Sequence, residues 1–518
     1  MNFAQRRTNV VPRAMPNIRW PVDRPPHPVA TGIFLVYLFL MMSRGVEMLA
    51  VVLHVNLHLT MILMFVSLVG ATLTGGLLNA LKTPVVIMFT ALTCWLMVTT
   101  VTSQWRGGSF MTITNYWIPS FASVLLVPSL ISTLDQCRKA CYALAFSLLP
   151  ILWATVAFQA QIQGRDETFF GTLGNPNDLA FSLLLLIPFA VLVIKSESLL
   201  SWKTILCSSA IVFAVTKTLR TGSRAGLLTI VICFVILFLS GKMKTKVAML
   251  GVAALIAAIC VAAVPRDILL RYGTLFSGTS NEAGMSADEY SAVESTRARK
   301  LLFQESVRLM LEHPLFGVGP GIFSAALAAE QKQLGQRQTW REAHNSFTQL
   351  GCEAGIPALG LYLAALLYCM KRTIRVYRRA RSDPNQIVIC RMAATLFVAL
   401  TIYTICGAFG TYSYTFHFPI LAGLVQAFYM CASKEMKTGA LIVHARLQAR
   451  QPRGFRAREL ERHQERGFRR GPEASQSSSS IDRASRKGRD MTNSPADREP
   501  LKDRSIRMRL RARGSEAR

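Results

Sequence analysis

The sequence predicts an all-α polytopic membrane protein with about 12 transmembrane helices, one large loop outside the membrane that contains an amphipathic helix, and a disordered C-terminal tail. Hydrophobic residues make up 51% of the 518 positions and the mean hydropathy is +0.33, which is more than a soluble chain of this length needs for its core. Apolar stretches near the length of about 20 residues that crosses a bilayer recur along the chain. Basic residues collect between them, as they do in cytoplasmic loops.

Twelve apolar stretches account for the predicted transmembrane helices, nine within residues 29–264 and three within residues 346–432. They lie near Val29–Leu49, Leu59–Leu78, Pro84–Thr102, Thr112–Ser132, Ala140–Ala160, Leu179–Lys195, Trp202–Thr216, Ala225–Leu239, Val247–Val264, Gly355–Met370, Met392–Phe409 and Phe416–Cys431. The first stretch contains Arg44 and Glu47. An arginine and a glutamate three residues apart can neutralise each other within a helix.

The short connections predict the orientation of the chain. Their basic residues include Lys82, Arg138, Lys139, Lys242–Lys246 and the run between Lys371 and Arg381. These residues fall on the same side as the basic leader, residues 1–28, which lacks a cleavage site and is expected to be retained. Both termini are therefore expected in the cytoplasm. The long polar segment at residues 265–345 follows the ninth span, so we expect it on the opposite face, where it is large enough to form a site.

Charge and cysteine content argue against two other kinds of site. The net charge is +29, and about +12 of it follows Ser433, in a tail at residues 433–518 with almost nothing apolar to bury. We expect this disordered tail to be attracted to anionic membrane lipids rather than to nucleic acid, because no base-reading motif accompanies it. Most of the 11 cysteines lie in or beside apolar stretches, so no disulfide framework and no metal site is expected.

A further run of cations lies on the face where basic residues are normally scarce. Residues 220–226 read Arg-Thr-Gly-Ser-Arg-Ala-Gly at the outer end of the eighth span. Ser223 can cap a helix N-terminus there, and the Arg224 guanidinium can bind a phosphate in a bidentate manner, with Arg220 beside it. The alternative is that these arginines only reach lipid phosphates at the membrane surface.

The long loop contains a predicted amphipathic helix from Arg299 to about Glu312. Its apolar stripe consists of Phe303, Val307 and Met310. Arg299 is four residues before Phe303 and in line with this stripe, so its guanidinium is expected to point inward and to need an anion. Arg297 is expected on the polar side. The alternative for Arg299 is a structural salt bridge to a loop carboxylate.

Two more polar segments directly precede predicted spans at the outer face. Glu342, His344 and Asn345 come before the tenth span, which places His344 at the membrane boundary, where a histidine can act as a general base. A lone histidine there can equally be a plain hydrogen-bonding residue. Asn175 and Asn177, before the sixth span, are turn and N-cap residues, and contact with an acceptor is a second role for them.

Together these segments resemble the O-antigen ligase and O-antigen polymerase superfamily of integral membrane glycan transferases. The resemblance rests on Gly222–Ala225, on Arg299 followed by His-Pro-Leu-Phe-Gly-Val-Gly-Pro-Gly at residues 313–321, and on Ala343–Phe347 followed by Glu353–Pro357. Asn175-Pro176-Asn177 is also similar to the family pattern. The resemblance covers roughly residues 171–367, and His313 within it is interpreted as structural.

The resemblance implies a metal-independent, inverting transfer of a glycan from an undecaprenyl-pyrophosphate-linked donor. The transfer would occur on the periplasmic face of a bacterial inner membrane, to a lipid A core or to a growing polysaccharide, without a cofactor. Carried over by motif, Arg224 and Arg299 would bind the pyrophosphate, with Ser223 and Arg220 beside them, and His344 would remove the acceptor proton. Ligases and polymerases share these motifs.

Two other functions are compatible with the sequence. One is a polytopic transporter or flippase for lipid-linked glycans, although the chain has no internal repeat with matching broken helices of the kind that many transporters show. The other is a scaffold of a polysaccharide assembly complex that recruits cytoplasmic partners through the basic tail.

Overall fold

The computed structural model describes residues 27–162, 165–169, 171–240, 243–273 and 287–450. The chain divides into two units, Met1–Ala445 and Arg446–Arg518, and the helical bundle with its candidate site belongs to the first. The basic leader predicted at residues 1–28 lies almost entirely outside the described residues, and so does the predicted tail beyond Arg450.

The described residues form 19 α-helices and one β-hairpin. The first half contains α1 (Pro28–Ser43), α2 (Gly45–Leu53), α3 (Leu59–Leu73), α4 (Gly76–Ala80), α5 (Pro84–Val101), α6 (Arg106–Thr112), α7 (Ile118–Leu130), α8 (Leu134–Phe146), α9 (Leu148–Ala157), β1 (Gln159–Ile162), β2 (Arg165–Thr168) and α10 (Pro176–Ser196). The second half contains α11 (Trp202–Arg220), α12 (Arg224–Ser240), α13 (Met243–Ala263), α14 (Arg266–Gly273), α15 (Ala287–Glu312), α16 (Phe323–Gln333), α17 (Ser346–Ala380), α18 (Ile387–Gly407) and α19 (His417–Arg450). A π-helix, Ile113–Trp117, joins α6 to α7, and short 3₁₀ helices occupy Gly171–Gly174 and Pro384–Gln386.

Each of the twelve predicted apolar stretches falls on helix, but fewer qualify as membrane spans by length and hydropathy. Six helical segments of the described chain qualify. Helices α1 and α2 meet at an angle of 72° beside Arg44, and they add a seventh span if they are counted as one broken span. The structure therefore confirms a helical, multi-pass membrane protein, while the count of twelve stays a prediction. Helices α3 and α12 are apolar but shorter, and α19 continues past the predicted end of the last span at Cys431 to Arg450.

The helix boundaries follow from local sequence chemistry. Proline occupies the first turn of α1, α5 and α10, where its missing N–H costs no hydrogen bond. At the start of α8, Thr133 and Gln136 form a reciprocal capping box. These signals fix where the helices begin and hence which residues lie in the connections.

Hydrogen bonds join connections of the described chain at each of two ends of the bundle. At one end, Thr31 Oγ1 donates to Leu130 O at 3.0 Å, among connections predicted to be cytoplasmic. At the other end, Gln104 N donates to Val318 O at 3.0 Å, which joins a connection predicted to lie outside to the long loop. The hairpin, the start of α12, helices α14–α16 and the 408–416 connection belong to this second end. We call it the outer end because the sequence predicts that its connections lie outside.

One short β-hairpin, which the sequence did not predict, accompanies the helices of the described chain. Strands β1 and β2 are antiparallel, with Gln159 opposite Thr168. The polar residues Asp166 and Glu167 are nevertheless buried. Hydrophobic periodicity could not reveal these strands, because they are four residues long and are held by polar tertiary contacts instead of by an apolar face.

Helices α10, α17 and α18 pack at the centre of the bundle. Phe181 of α10 stacks on Tyr412 with ring centroids 4.2 Å apart, and the hydroxyls of Tyr362 and Tyr403 are hydrogen-bonded to each other in the core. This aromatic packing ties the 408–416 connection to the central helices at the outer end.

Candidate functional site

A tight turn presents Arg224 at the first position of α12. Gly222 has φ +62°, a conformation that favours glycine. Ser223 is buried, and its Oγ accepts a hydrogen bond from Gly226 N at 3.2 Å. The prediction that Ser223 caps this helix is therefore confirmed. Its hydroxyl shapes the N-terminus that carries Arg224.

Two arginines that the sequence analysis did not identify hold this turn. Arg165 of β2 donates from Nε to Thr221 O at 2.7 Å, and Arg271 of α14 donates from Nε to Gly222 O at 3.3 Å. A Cβ atom on Gly222 would lie 3.2 Å from Arg271 Cδ and 3.4 Å from Arg165 Nε. Glycine is thus needed at position 222 both for the backbone angle and for this close approach.

Arg299 projects from α15 toward the same place. The helix begins at Ala287, so the prediction that Arg299 opens it is wrong, although the predicted end at Glu312 is confirmed. The predicted stripe is also displaced, because Phe303 is 44% exposed. The buried positions are Leu302, Ser306 and Leu309. Arg299 lies three residues before Leu302 and seven before Ser306. Residues at these spacings share one face of a helix, so Arg299 remains on the inward face.

The burial of neighbouring cations supports the choice of Arg299 over Arg297. Arg299 is half-buried, whereas Arg297 is exposed. Helix α15 is fixed against α17 by a hydrogen bond from Ser306 Oγ to Thr348 Oγ1 at 2.8 Å. Within the described part of the chain, the Arg299 guanidinium makes no hydrogen bond or ion pair, and the salt bridge considered for it is not seen there.

Arg165, Arg224, Arg271 and Arg299 form what we call the arginine cluster. Burial, followed by the charges of Arg271 and Arg299, lowers the pKa of Arg165 to about 9. The charges of Arg271 and Arg299 also act on Arg224. Arg271 is only 4% exposed. Like charges brought together away from water are stabilised by a counter-anion, so this cluster has the character of an anion site.

His344 lies beside the arginine cluster, just before α17. Its φ of +50° is a left-handed conformation that non-glycine residues rarely adopt. Burial, and then the charges of Arg299 and Arg341, lower its pKa from 6.5 to about 4. The imidazole is therefore neutral near pH 7 and can accept a proton.

The asparagines beside these elements act mainly as helix caps. Asn345 Oδ1 accepts from Phe347 N at 3.0 Å and from Thr348 N at 3.1 Å, capping α17. Asn175 Oδ1 accepts from Asn177 N at 2.8 Å and caps α10, as the sequence predicts. The contact of Asn177 with the cluster is a hydrogen bond from Arg165 Nη2 to its Oδ1 at 3.4 Å. Glu342 is exposed.

The structure does not bring Arg220 into the arginine cluster. Arg220 Nε lies 2.9 Å from Asp166 Oδ2, and Lys217 Nζ lies 3.0 Å from the same oxygen. Asp166 follows Arg165 in β2, and successive side chains of a strand point to opposite faces. The hairpin thus separates two groups of cations that the sequence analysis treated as one.

The loop motif at residues 313–321 packs on a break in α17. Gly319 N donates to Glu353 O at 2.8 Å, and Ile356 N donates to Pro314 O at 2.8 Å. Gly355 has φ +81°, and a Cβ there would lie 2.0 Å from Leu315 O. The two family segments are therefore in direct contact, which fixes the distance between α15 and His344. His313 itself is exposed.

A buried tyrosine and a half-buried aspartate complete the neighbourhood of Arg299. Tyr412 donates from its hydroxyl to Asp178 Oδ1 at 2.7 Å, and the charge of Asp178 acts on Arg299. Burial is the first cause that raises the pKa of Tyr412 well above 10, so the phenol stays protonated. Among the described residues, no group of three or more His, Cys, Asp or Glu side chains could hold a metal ion.

These features define a multi-pass helical membrane protein with a cluster of four arginines and a neutral histidine at one end of its bundle. Residues 209–363 match the family model described as O-antigen ligase. The match confirms the resemblance to the O-antigen ligase and polymerase superfamily, and it contains Arg224, Arg271, Arg299 and His344. The match, which covers less than half of the chain, supports a function of the O-antigen ligase or polymerase type in general. No curated protein matches the chain.

Proposed function

We propose that the protein transfers a glycan from an undecaprenyl-pyrophosphate-linked donor to a sugar acceptor, a lipid A core or a growing polysaccharide. The transfer would take place on the periplasmic face of a bacterial inner membrane, with both termini in the cytoplasm. The observation that carries this proposal is the meeting of the arginine cluster with neutral His344 at one end of the bundle.

In this proposal the arginine cluster binds the pyrophosphate of the donor. Arg224 stands at a helix N-terminus, where backbone N–H groups also favour an anion, and Arg299 approaches from α15. Arg165 and Arg271 hold the turn between them and add positive charge. Arg220 has no place in this binding site, because its guanidinium is engaged by Asp166.

His344 would act as the general base in an inverting displacement. The imidazole takes the proton of an acceptor hydroxyl while the hydroxyl oxygen forms a bond to the anomeric carbon of the donor sugar. The bond from that carbon to the pyrophosphate oxygen breaks, and the pyrophosphate leaves with the electron pair. The arginines stabilise the negative charge that develops on the leaving group, so the proposed transfer needs no metal ion.

A reaction with purified protein tests the proposal and separates it from transport. Labelled lipid-linked glycan, incubated with acceptor glycolipid from the host in detergent, is expected to yield a larger glycolipid with the wild-type protein and none with His344→Ala. His313→Ala is the matched control, because His313 is an exposed histidine of the same loop. Full transfer by His344→Ala in detergent would contradict the proposal. So would movement of the labelled lipid between the leaflets of proteoliposomes without a new bond.

The acceptor class is tested in the host. Deletion of the gene is expected to leave complete lipid-linked chains unattached if the protein is a ligase, and single repeat units if it is a polymerase. Electrophoresis of the surface glycans distinguishes these outcomes.

A further inference from the structure

Arg299 makes no ion pair although a carboxylate lies in its neighbourhood. Among the described residues its guanidinium has neither a hydrogen-bond nor an ion-pair partner, and the charge of Asp178 nevertheless acts on it. The charge of Arg44 also acts on Asp178. Arg44, however, is paired with Glu47 at 2.7 Å and lies over the ring of Phe416. Of these two arginines, Arg299 is therefore the one still able to pair with Asp178.

The hydroxyl of Tyr412 binds the Asp178 carboxylate instead. It donates to Oδ1 at 2.7 Å, and hydrogen bonds to a charged acceptor are the stronger ones. Phe181, three residues after Asp178 and thus on the same face of α10, stacks on the Tyr412 ring with centroids 4.2 Å apart. The ring is held from one side while its hydroxyl satisfies the carboxylate, so the phenol and Asp178 form a fixed pair.

The backbone around Tyr412 is fastened to the start of α17. Tyr412 N donates to Ser346 Oγ at 2.8 Å, and Ser346 Oγ donates to Gly410 O at 2.7 Å. In addition, Ser413 Oγ donates to Ser346 O at 2.6 Å. Ser346 is the first residue of α17 and follows His344 by two positions. The Tyr412 hydroxyl is therefore fixed relative to the helix that begins beside His344.

Helix α15 brings Arg299 to the same level of the bundle. It runs in the same direction as the start of α17, because Ser306 Oγ is hydrogen-bonded to Thr348 Oγ1 and, further along both helices, Pro314 O accepts from Ile356 N. Arg299 is seven residues before Ser306, which is about 10 Å along a helix. Arg299 therefore lies beyond the N-terminus of α17, level with the hydrogen bonds just described.

We infer that Tyr412 is a positioning residue, whose hydroxyl satisfies the Asp178 carboxylate and so leaves the Arg299 guanidinium free for a pyrophosphate. The inference rests on the proposed function of the arginine cluster. Without the hydroxyl, the half-buried carboxylate of Asp178 loses its hydrogen-bond donor. A carboxylate in that position is stabilised by pairing with a cation. Arg299 would then turn to Asp178, and the anion site would lose one guanidinium.

Calorimetric titration of the full-length protein in detergent with inorganic pyrophosphate tests the inference. Tyr412→Phe keeps the stacked ring and removes only the hydroxyl. It is expected to raise the Kd about tenfold, the effect of losing one hydrogen bond to a charged group. Asp178→Asn removes the charge that would attract Arg299, so it is expected to bind pyrophosphate more tightly than the wild-type protein. The double variant is expected to bind at least as tightly as wild type. Tyr116→Phe, the matched control, removes the hydroxyl of a tyrosine that is 61% exposed and should leave the Kd unchanged.

The rescue by Asp178→Asn is what separates positioning from packing. If Tyr412 only packed the connection, a second substitution beside it would not restore binding. Undiminished binding by Tyr412→Phe, a double variant as weak as Tyr412→Phe, or no pyrophosphate binding by the wild-type protein would overturn the inference. If Tyr412→Phe does not elute as monodisperse protein on size exclusion, Asp178→Asn alone decides, because binding no tighter than wild type would contradict the inference.

The glycan-transfer assay distinguishes a failure of this inference from a failure of the proposed function. Transfer by the wild-type protein, without rescue in the pyrophosphate titrations, overturns the inference alone. The full rescue pattern in a protein that transfers no glycan supports the role of Tyr412 at an anion site and contradicts the proposed function.

Discussion

The ionisation of His344 gives a quantitative prediction for the proposed reaction. Its pKa is lowered from 6.5 to about 4 by burial and by the charges of Arg299 and Arg341, which corresponds to about 3 kcal/mol against the imidazolium. In the unfolded chain the pKa returns to about 6.5. Folded protein therefore binds fewer protons than unfolded protein between about pH 4 and 6.5, and its stability falls by up to about 3 kcal/mol as the pH drops through that window.

The activity should follow the same ionisation. The acid limb of kcat/KM reports the free enzyme, so it is expected near pH 4 rather than near 6.5. Donor binding brings pyrophosphate charges next to the arginine cluster and offsets the field of Arg299, which raises the pKa of His344. The acid limb of kcat, which reports the enzyme–substrate complex, is accordingly expected at a higher pH than that of kcat/KM.

Initial rates of glycan transfer, measured from about pH 3 to 8 with varied donor and saturating acceptor, cover both sides of the expected limb and give both profiles. Arg341→Gln removes one of the charges that act on His344 and is expected to move the limb of kcat/KM upward. Arg337→Gln removes an equally exposed charge seven residues from His344 and should leave the limb in place. A kcat/KM limb near pH 6.5 in the wild-type protein, or the same limb in both variants, would refute the reasoning.

Three further substitutions test the site and its support. Arg299→Lys is expected to lower kcat about 10²- to 10³-fold in the transfer assay, because lysine cannot replace a bidentate guanidinium at the leaving group. Arg297→Lys, on the exposed side of the same helix, should leave kcat near the wild-type value. Arg271→Gln is expected to weaken inhibition by inorganic pyrophosphate about tenfold, since it loses a charged hydrogen-bond donor, and an unchanged inhibition constant would place Arg271 outside the anion site. Gly355→Ala places an alanine at φ +81° with its Cβ 2.0 Å from a backbone oxygen. It is expected to lower the free energy of unfolding by at least about 1–3 kcal/mol, so that monodisperse protein is lost at a lower temperature on heating. Gly360→Ala, which has open space in the same helix, should melt like the wild-type protein.

The sequence predicted the helices well, because each apolar stretch carries a long-range signal in hydropathy and its ends carry proline or cap residues. Asn175 and Thr133 are examples of such local signals. The span count could not be settled in the same way, since Arg44 at the break between α1 and α2 looks in sequence like a charge within one helix. Arg44 has a left-handed backbone conformation at this 72° bend, and it forms the expected ion pair with Glu47 at 2.7 Å.

The candidate site was predicted only where the chain is locally regular. Arg299 was placed on the inward face by helical spacing, and the shift of the buried stripe by one residue did not change that face. Arg165 and Arg271 could not be found in this way, because they meet the Gly222 turn through tertiary contacts from a hairpin and a short helix. The signal that could have found Arg165 was available, since it is one more cation on the face where basic residues are scarce.

The positive charge at the outer end is best understood as two separate groups. If all the cations served one pyrophosphate, buried Asp166 would not directly follow Arg165 in β2, because a carboxylate facing the anion would oppose its binding. The alternation of the strand instead directs Arg165 toward Thr221 and Asp166 toward Lys217 and Arg220. Asp166 therefore binds two cations that would otherwise be near the proposed donor site, and the same ion pairs anchor the strand that carries Arg165. The departure from the positive-inside pattern thus has two causes, which are the arginine cluster of the proposed donor site and the two cations that anchor the hairpin through Asp166.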